Sequence, residues 1–277
     1  MQINSFQDVD YLKILYDSDI VSRRGQFIKK YSNRKFSIRD IICKYFLDCS
    51  KSTTIIDIGP GNGSFLQRLY LDNRSCQLYA LDIVKNKDFI TNDYIKFYLY
   101  DGVRFPDFLT TFDYVFCMHM LYHVNDFDIF FHNVKKILKP TGKIIITTKS
   151  IETLPHLESV FKKIVFNCNI PNIPKLRDES NFSSENSISI LNSYFPKDEY
   201  NIEKIDLTTQ LIIDNSIDLY EYVFSTMRYN LISRMNKKQW EMYLAEWKQH
   251  LFQNDIFFDE LKESIIIISK TKLKGEF

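Results

Sequence analysis

Residues 53–69 read TTIIDIGPGNGSFLQRL, and this stretch decides how the chain folds. Thr53–Ile58 is a short β-branched run of the kind that fills a buried strand. Gly59-Pro60-Gly61-Asn62-Gly63 follows with no spacer, and Ser64–Leu69 has helical spacing. Three of the chain's 7 glycines fall in this one turn, which implies a backbone that reverses sharply with no side chain in the way. A strand, turn and helix in this order leave free N–H groups and the positive end of a helix dipole facing whatever binds. In open α/β sheets that position is the ligand crevice at the carboxyl ends of the strands. The spacing is G-x-G-x-G, unlike the G-x-G-x-x-G of dinucleotide enzymes. A tight turn with no ligand is the bland alternative.

Working outward, further strands are expected at Gln77–Leu81, Ile95–Leu99, Phe112–Met118 and Lys143–Thr148. A helix over Phe127–Leu138 should leave through a turn at Lys139-Pro140-Thr141-Gly142. Strands alternating with helices indicate an open, mostly parallel α/β sheet. Upstream, Leu12, Ile14 and Leu15 recur near helical spacing, Ile38–Phe46 reads as an amphipathic helix, and SRRGQFIKKYSNRK between them reads as a loop or exposed helix. Downstream, Leu154–Phe166 is a helix, 167–187 an irregular connection, Glu203–Ile213 a sixth strand, 216–262 helical and aromatic-rich, and Ser264–Ser269 a closing strand. The expected organisation is an N-terminal helical cap over 1–52 and a core over 53–215 with an irregular connection at 151–200. A helical lid or substrate insertion over 216–262 and a closing strand over 263–277 complete it.

Three carboxylates fall where a nucleoside site needs them. Asp57 lies inside the first strand. Asp82 ends the second, where a carboxylate accepts hydrogen bonds from both ribose hydroxyls and repels a 2′-phosphate. Asp101, in Tyr100-Asp101-Gly102-Val103 after the third strand, can accept from an adenine amino group.

The ordered set IIDIGPGNGSFLQRL (55–69), LYALDIV (78–84), YDGVRFP (100–106), FDYVFCMHMLYHVND (112–126) and VKKILKPTGKIIITTKS (134–150) resembles class I S-adenosylmethionine-dependent methyltransferases. FSSENSISILNSYF (182–195), LIIDNSIDLYEYVFST (211–226) and YSNRK (31–35) resemble, more weakly, the flanks of a bacterial small-molecule methyltransferase group. The resemblance implies an α/β, Rossmann-like, seven-stranded mostly parallel sheet with helices on both faces, an N-terminal helical segment and a helical lid before the last strand. It implies S-adenosyl-L-methionine as cofactor and S-adenosyl-L-homocysteine as product. Asp57 would lie near the methionine amino group, and Gly59, Gly61 and Gly63 would admit the cofactor to the backbone. Asp82 with Ile83 would hold the ribose, Asp101, Gly102 and Val103 the adenine, and Met118 and His119 the methionine and sulfonium. Pro60 in the glycine turn and Thr141 in place of a frequent second glycine depart from the family pattern.

Methyl transfer to a nucleophile is an in-line displacement in which positioning alone supplies roughly 7–11 kcal/mol, and a base is needed only if the acceptor arrives protonated. The base candidates are His119 and His123, four residues apart and on one face if this turn is helical. No carboxylate in the segment orients either ring, so positioning is expected to outweigh proton transfer. His123 reads equally as a packed or capping residue. No metal is expected, since no carboxylate sits at zinc-motif spacing. Tyr222, Arg228 and Tyr229 are the substrate-binding candidates, Arg228 as an anchor for a carboxylate or phosphate; aromatic stripes at helical spacing are otherwise core.

Composition trims the alternatives. Lys+Arg 36 against Asp+Glu 35 gives a net charge of +1, which argues against nucleic-acid affinity from bulk charge. The Asn/Asp-Pro-Pro-aromatic sequence of base-modifying methyltransferases is absent, Cys117-Met118-His119-Met120 standing there. The basic segment Arg23, Arg24, Lys29, Lys30, Arg34 and Lys35 reads as a solvated face or as steering for an anionic small substrate. Five scattered cysteines without a CxxC pair suit a reducing cytoplasm, and no apolar run approaches the ~20 residues of a membrane span. A cytoplasmic monomer or homodimer acting on a small-molecule acceptor is expected. The alternatives are a nucleoside-binding or partner-regulating protein that keeps the fold without catalysis, and an NAD-dependent oxidoreductase, which the glycine spacing disfavours.

Overall fold

The computed structural model describes residues 18–48, 52–72, 74–85, 89, 93–100, 103–108, 110–169, 181–226, 235–252 and 256–271. Its elements in chain order are α1 (Ser18–Tyr31), α2 (Ile38–Tyr45), β1 (Thr54–Ile58), α3 (Ser64–Asp72), β2 (Gln77–Asp82), β3 (Ile95–Leu99), β4 (Phe112–Met118), α4 (Phe127–Ile137), β5 (Leu138–Lys149), α5 (Pro155–Asn167), α6 (Ser187–Tyr194), β6 (Tyr200–Ile213), α7 (Ser216–Thr226), α8 (Lys237–Phe252) and β7 (Phe257–Lys270). The seven strands form one sheet in the order β3-β2-β1-β4-β5-β7-β6. β1 pairs in parallel with β2 and β4, β2 with β3, and β4 with β5, whereas β7 runs antiparallel to β5. This is the expected Rossmann-like, mostly parallel sheet.

Alternation along the strands explains why helices cover both faces. Ile56, Ile58, Val115, Cys117, Ile144 and Ile146 pack with Phe130, Phe131 and Val134 of α4 and Leu191 of α6. Their neighbours Ile55, Phe116, Ile145 and Ile265 pack with Ile38 and Ile42 of α2 and Phe65, Leu66 and Leu69 of α3. All five β1 residues are buried, as a central strand covered on both sides requires.

By compactness the chain divides into two units. One comprises residues 1–37, 151–178 and 208–262; the other comprises 38–150, 179–207 and 263–277. The second holds the glycine turn and most of the sheet. The first has its own core, in which Phe27 and Tyr31 of α1, Ile164 of α5, Tyr222 of α7 and Tyr243 and Trp247 of α8 pack together.

Of the two readings of SRRGQFIKKY, loop or exposed helix, the helix holds, within α1. Two local expectations change. Lys139-Pro140-Thr141-Gly142 is not a turn after a longer helix: α4 ends at Ile137 and β5 begins at Leu138. The β4–β5 register shifts between Phe112 and Tyr114, and a Cβ at Gly142 would stand 2.8 Å from the carbonyl oxygen of Phe112, so glycine there permits a close backbone approach. Finally, the helical reading of 216–262 ends too late, because β7 starts at Phe257 and residues 257–262 alternate buried with more exposed positions. Leu12, Ile14 and Leu15 lie outside the described residues.

Asp259 shows what that early start of β7 accomplishes. Leu154 precedes α5 with φ 56° and offers no side-chain cap. The buried Asp259 carboxylate supplies the cap from β7, accepting from the backbone N–H of His156 at 3.2 Å and of Leu157 at 2.8 Å. Asp259→Ala is expected to lower stability by about 1–2 kcal/mol, read as a lower urea midpoint with unchanged slope. An unchanged midpoint would show that α5 needs no cap from β7.

Candidate active site

The site is built at the carboxyl ends of β1, β2, β4 and β5, all in the second unit. After β1 the chain turns through Gly59, Gly61 and Gly63, at φ 72°, 61° and 76°, a region that L side chains avoid. The turn is pinned at both ends: Gly59 donates its N–H to the Leu81 carbonyl at 2.8 Å, and Gly63 donates to Pro60 at 3.1 Å. The Asn62 side chain accepts from the N–H of Ser64 at 3.1 Å, at the start of α3. A Cβ at Gly59 would stand 2.9 Å from Met120 Cβ, so this turn and the one after β4 lie against each other. A Cβ at Gly63 would press on the Phe89 ring at 2.8 Å, whereas nothing lies within 4 Å of one at Gly61. The middle of the turn is open.

Asp57 is 1% exposed, and its Oδ1 has no hydrogen-bond partner among the described residues. Burial pushes its carboxyl up to about 7; the Arg39 guanidinium pulls the other way and the Asp82 carboxylate adds to the rise. Asp82, at the end of β2, is pushed up to about 6 by burial, moderated by the N–H groups of Val84 and Ile83. Arg39 of α2 also donates to Ser64 Oγ at 3.0 Å. No motif pointed to Arg39; its relation to the turn comes from the packing of α2 against α3.

Three buried side-chain polar atoms lack a partner among the described residues of this unit: Asp57 Oδ1, His119 Nδ1 and Thr147 Oγ1. They sit at the carboxyl ends of β1, β4 and β5, which are adjacent in the sheet. Buried polar groups are nearly always paired, so three orphans in one strip set this edge of the sheet apart from the rest of the unit.

His119 follows β4 at φ 53°, an unusual conformation for a residue with a Cβ, and donates its N–H to the Thr147 carbonyl at 2.9 Å. Its Nε2 lies 3.3 Å from Oε1 of Glu263 on β7. The segment itself offers no carboxylate, as expected, but one reaches His119 from a distant strand. The condition for a shared histidine face fails, since the segment is a three-residue 3-10 turn, Leu121–His123, and no α-helix. His123 packs its ring against Tyr122 at 4.4 Å.

The other expected residues scatter. Met118 is buried, Ile83 half-buried and Val103 exposed. Tyr222 is in the core of the first unit, its ring stacked on Phe27 at 4.2 Å. Asp101, Gly102, Arg228 and Tyr229 lie outside the described residues.

A family profile described as a methyltransferase domain matches residues 31–179, more than half of the chain. The chain belongs to the S-adenosyl-L-methionine-dependent methyltransferase family. The buried unpaired Asp57 carboxylate, the open face at Gly61 and the Asp82 carboxylate fit the amino group, backbone approach and ribose diol of that cofactor. Phosphoethanolamine N-methyltransferase 2 of Caenorhabditis elegans is 28% identical over 114 residues, covering 38% of this chain and 26% of the relative. The chain thus spans about a quarter of that curated relative's length. Among solved structures, the YcgJ protein of Bacillus subtilis is 15% identical with TM-score 0.50, covering 91% of this methyltransferase chain and 100% of YcgJ. The [4+2]-cyclase SpnF is 13% identical with TM-score 0.51, covering 91% and 93%.

The two raised carboxyls fix a sign. Each binds its proton more tightly folded than unfolded, so the stability it contributes is full below about pH 4 and lost as pH rises to about 7. In the cofactor-free protein, Asp57→Asn is expected to gain stability relative to wild type between pH 5 and pH 8, by more than about 1 kcal/mol. The mutant-minus-wild-type difference cancels carboxylates that shift the other way, such as Asp113. Chemical denaturation at the two pH values measures it; an equal difference at both would place the raised proton elsewhere.

Proposed function

We propose that this protein transfers a methyl group from S-adenosyl-L-methionine to the nitrogen or oxygen of a small-molecule acceptor. The observation that carries the reading is the strip of unpaired buried polar atoms at Asp57, His119 and Thr147 beside a glycine turn whose middle residue faces open space. A site that leaves Asp57 buried and unpaired is costly until a cationic group arrives, and the cofactor's amino group supplies one. In this reading Asp57 takes the amino group, Gly59, Gly61 and Gly63 let the backbone approach, and Asp82 takes the ribose hydroxyls. Ile83 lies beside the ribose, Asp101, Gly102 and Val103 hold the adenine, and Met118 and His119 flank the methionine portion. When bound, the cofactor presents a methyl on a positively charged sulfur, a leaving group that needs neither metal nor covalent enzyme chemistry. What the chain must add is alignment of the acceptor and exclusion of water.

The acceptor class rests on a net charge of +1, on the absence of a base-modifying motif, and on the relative named for phosphoethanolamine. Phosphoethanolamine is the first acceptor to try. Arg228 and Tyr229, with Tyr222, remain the candidates for holding it, and His123 a second candidate base. Buried free thiols at Cys117 and Cys168 support a reducing cytoplasm, and among the described residues no helix is long and apolar enough to cross a membrane. The fold likeness to a protein named as a cyclase keeps a second reading in play, cofactor binding without methyl transfer.

Two measurements test the reading. Asp82→Ala is expected to weaken S-adenosyl-L-homocysteine at least tenfold by calorimetry, since each charge-assisted hydrogen bond contributes about 1.5–3 kcal/mol. Gly61→Val should abolish binding with circular dichroism unchanged, because its side chain enters the open face. Tight binding by both variants would overturn the cofactor site. Incubating wild type with isotopically methyl-labelled cofactor and phosphoethanolamine, or a metabolite extract, should give a labelled small molecule by mass spectrometry. Cofactor binding with no labelled product would favour the second reading.

A further inference from the structure

A histidine acts as a base only if one ring nitrogen is unprotonated and held toward the proton it takes. In neutral imidazole one nitrogen carries hydrogen and the other a lone pair, and the partner of the first decides which is which. His119 sits at the carboxyl end of β4 with its backbone held at φ 53° and its N–H fixed on Thr147. Such strain persists where the surroundings over-determine it, and it clusters at functional sites. The ring reaches β7, where Glu263 is opposite Lys149 at the carboxyl end of β5. The His119 Nε2 and Glu263 Oε1 atoms are 3.3 Å apart, with side chains 27% and 7% exposed, just beyond the usual ~2.7–3.2 Å of an N–H···O bond. The contact is at ion-pair distance without a formed hydrogen bond, and catalytic contacts are often long or poorly aligned before ligands bind. At the other side of the ring, Nδ1 is buried and has no partner among the described residues.

These facts interlock. A lone pair at Nε2 would face a carboxylate oxygen, so Glu263 selects the tautomer with hydrogen on Nε2. That leaves the lone pair on Nδ1, out of contact with solvent, in the same strip as Asp57 Oδ1 and Thr147 Oγ1. We infer that Glu263 is a positioning residue that fixes the tautomer and orientation of His119, making Nδ1 the atom that takes the proton from the methyl acceptor. The inference rests on the methyltransferase reading and deepens it. The balance is simple: the acceptor's lone pair forms the new bond to carbon, the pair of the broken carbon–sulfur bond stays on sulfur, and the acceptor's proton moves to Nδ1. The ring becomes cationic opposite the Glu263 carboxylate, which stabilises it as the charge develops.

The test needs no identified acceptor for its first arm. Nitrogen-15 NMR of the wild type with S-adenosyl-L-homocysteine, with His119 assigned by comparison with His119→Gln, should show a protonated Nε2 with a protected low-field N–H signal and an unprotonated Nδ1. Glu263→Met, close in volume and without an acceptor, should lose the protected signal, whereas Glu263→Gln should keep it through its amide oxygen. In the second arm, label transfer from cofactor to metabolite extract should fall about a hundredfold or more in Glu263→Met, with S-adenosyl-L-homocysteine affinity within threefold of wild type. Glu263→Gln should fall between the two, since it orients the ring without compensating its charge. A proton on Nδ1 in wild type, or wild-type label transfer by Glu263→Met, overturns the inference. If the wild type binds cofactor but labels nothing, the methyltransferase reading fails while the NMR arm still decides the dyad.

Discussion

The structure turns on a carboxylate buried in the middle of a sheet. β1 has neighbours on both edges and helices over both faces, so every residue in it is out of water. Four of its five positions take side chains that fit such a place; the other takes Asp57. Burying an ionised carboxylate without a partner is among the most expensive substitutions a core can carry, and the protein responds by raising its proton affinity. Nothing in the packing requires this residue. A threonine or alanine would fill the strand at lower cost, which is why the proposed reading gives this carboxylate a cationic ligand. The neighbouring features follow from it: the left-handed glycine turn keeps side chains away from the crevice, and the orphaned atoms on β4 and β5 extend it along the strand ends.

How much of this could be read from the chain depended on distance along it. β1, the glycine turn and α3 are contiguous, and their physical requirements are local: β-branched residues for burial, glycine for positive φ, a polar residue to start a helix. Asp82 was legible because a strand ends in a recognisable way. Reading failed where a tertiary contact overrode the local signal. Lys139-Pro140-Thr141-Gly142 has the composition of a turn, yet the chain enters β5 there because Gly142 admits the Phe112 carbonyl. Residues 257–262 follow an aromatic helical stretch, yet they form a strand in which Asp259 is spent on the backbone of α5. Tyr222 looks like a pocket residue by type, and its stacking on Phe27 makes it part of a core. Glu263 was invisible for a different reason: a single carboxylate ahead of a run of isoleucines carries no local pattern, and its partner follows a strand far earlier in the chain.

The fold itself is a weak guide to chemistry. A cyclase shares it at 13% identity, and functions are grafted onto superfolds by changing few residues. What the fold does provide is an edge. In a parallel sheet all carboxyl ends lie on one side, so residues from separate strands, here Asp57, Asp82, His119 and Thr147, converge without any loop having to be long. The family assignment supplies the cofactor, and the side chains at this edge supply the groups that the proposed reading sets against it.

The direction of β7 explains how Glu263 joins that edge. A further parallel strand would bring only its last residues to the crevice, followed by a loop free to vary. Because β7 is antiparallel to β5, its register sets Glu263 opposite Lys149, the final residue of β5, with Ser264 opposite Thr148 and the isoleucines beyond pinned in the core. Ile266 and Ile268 pack into the core on one face of the sheet and Ile265 and Ile267 into the core on the other, so the strand that carries the carboxylate is anchored from both sides. In the proposed role of Glu263, the precision that a positioning residue needs would come from this packing as well as from the polar groups.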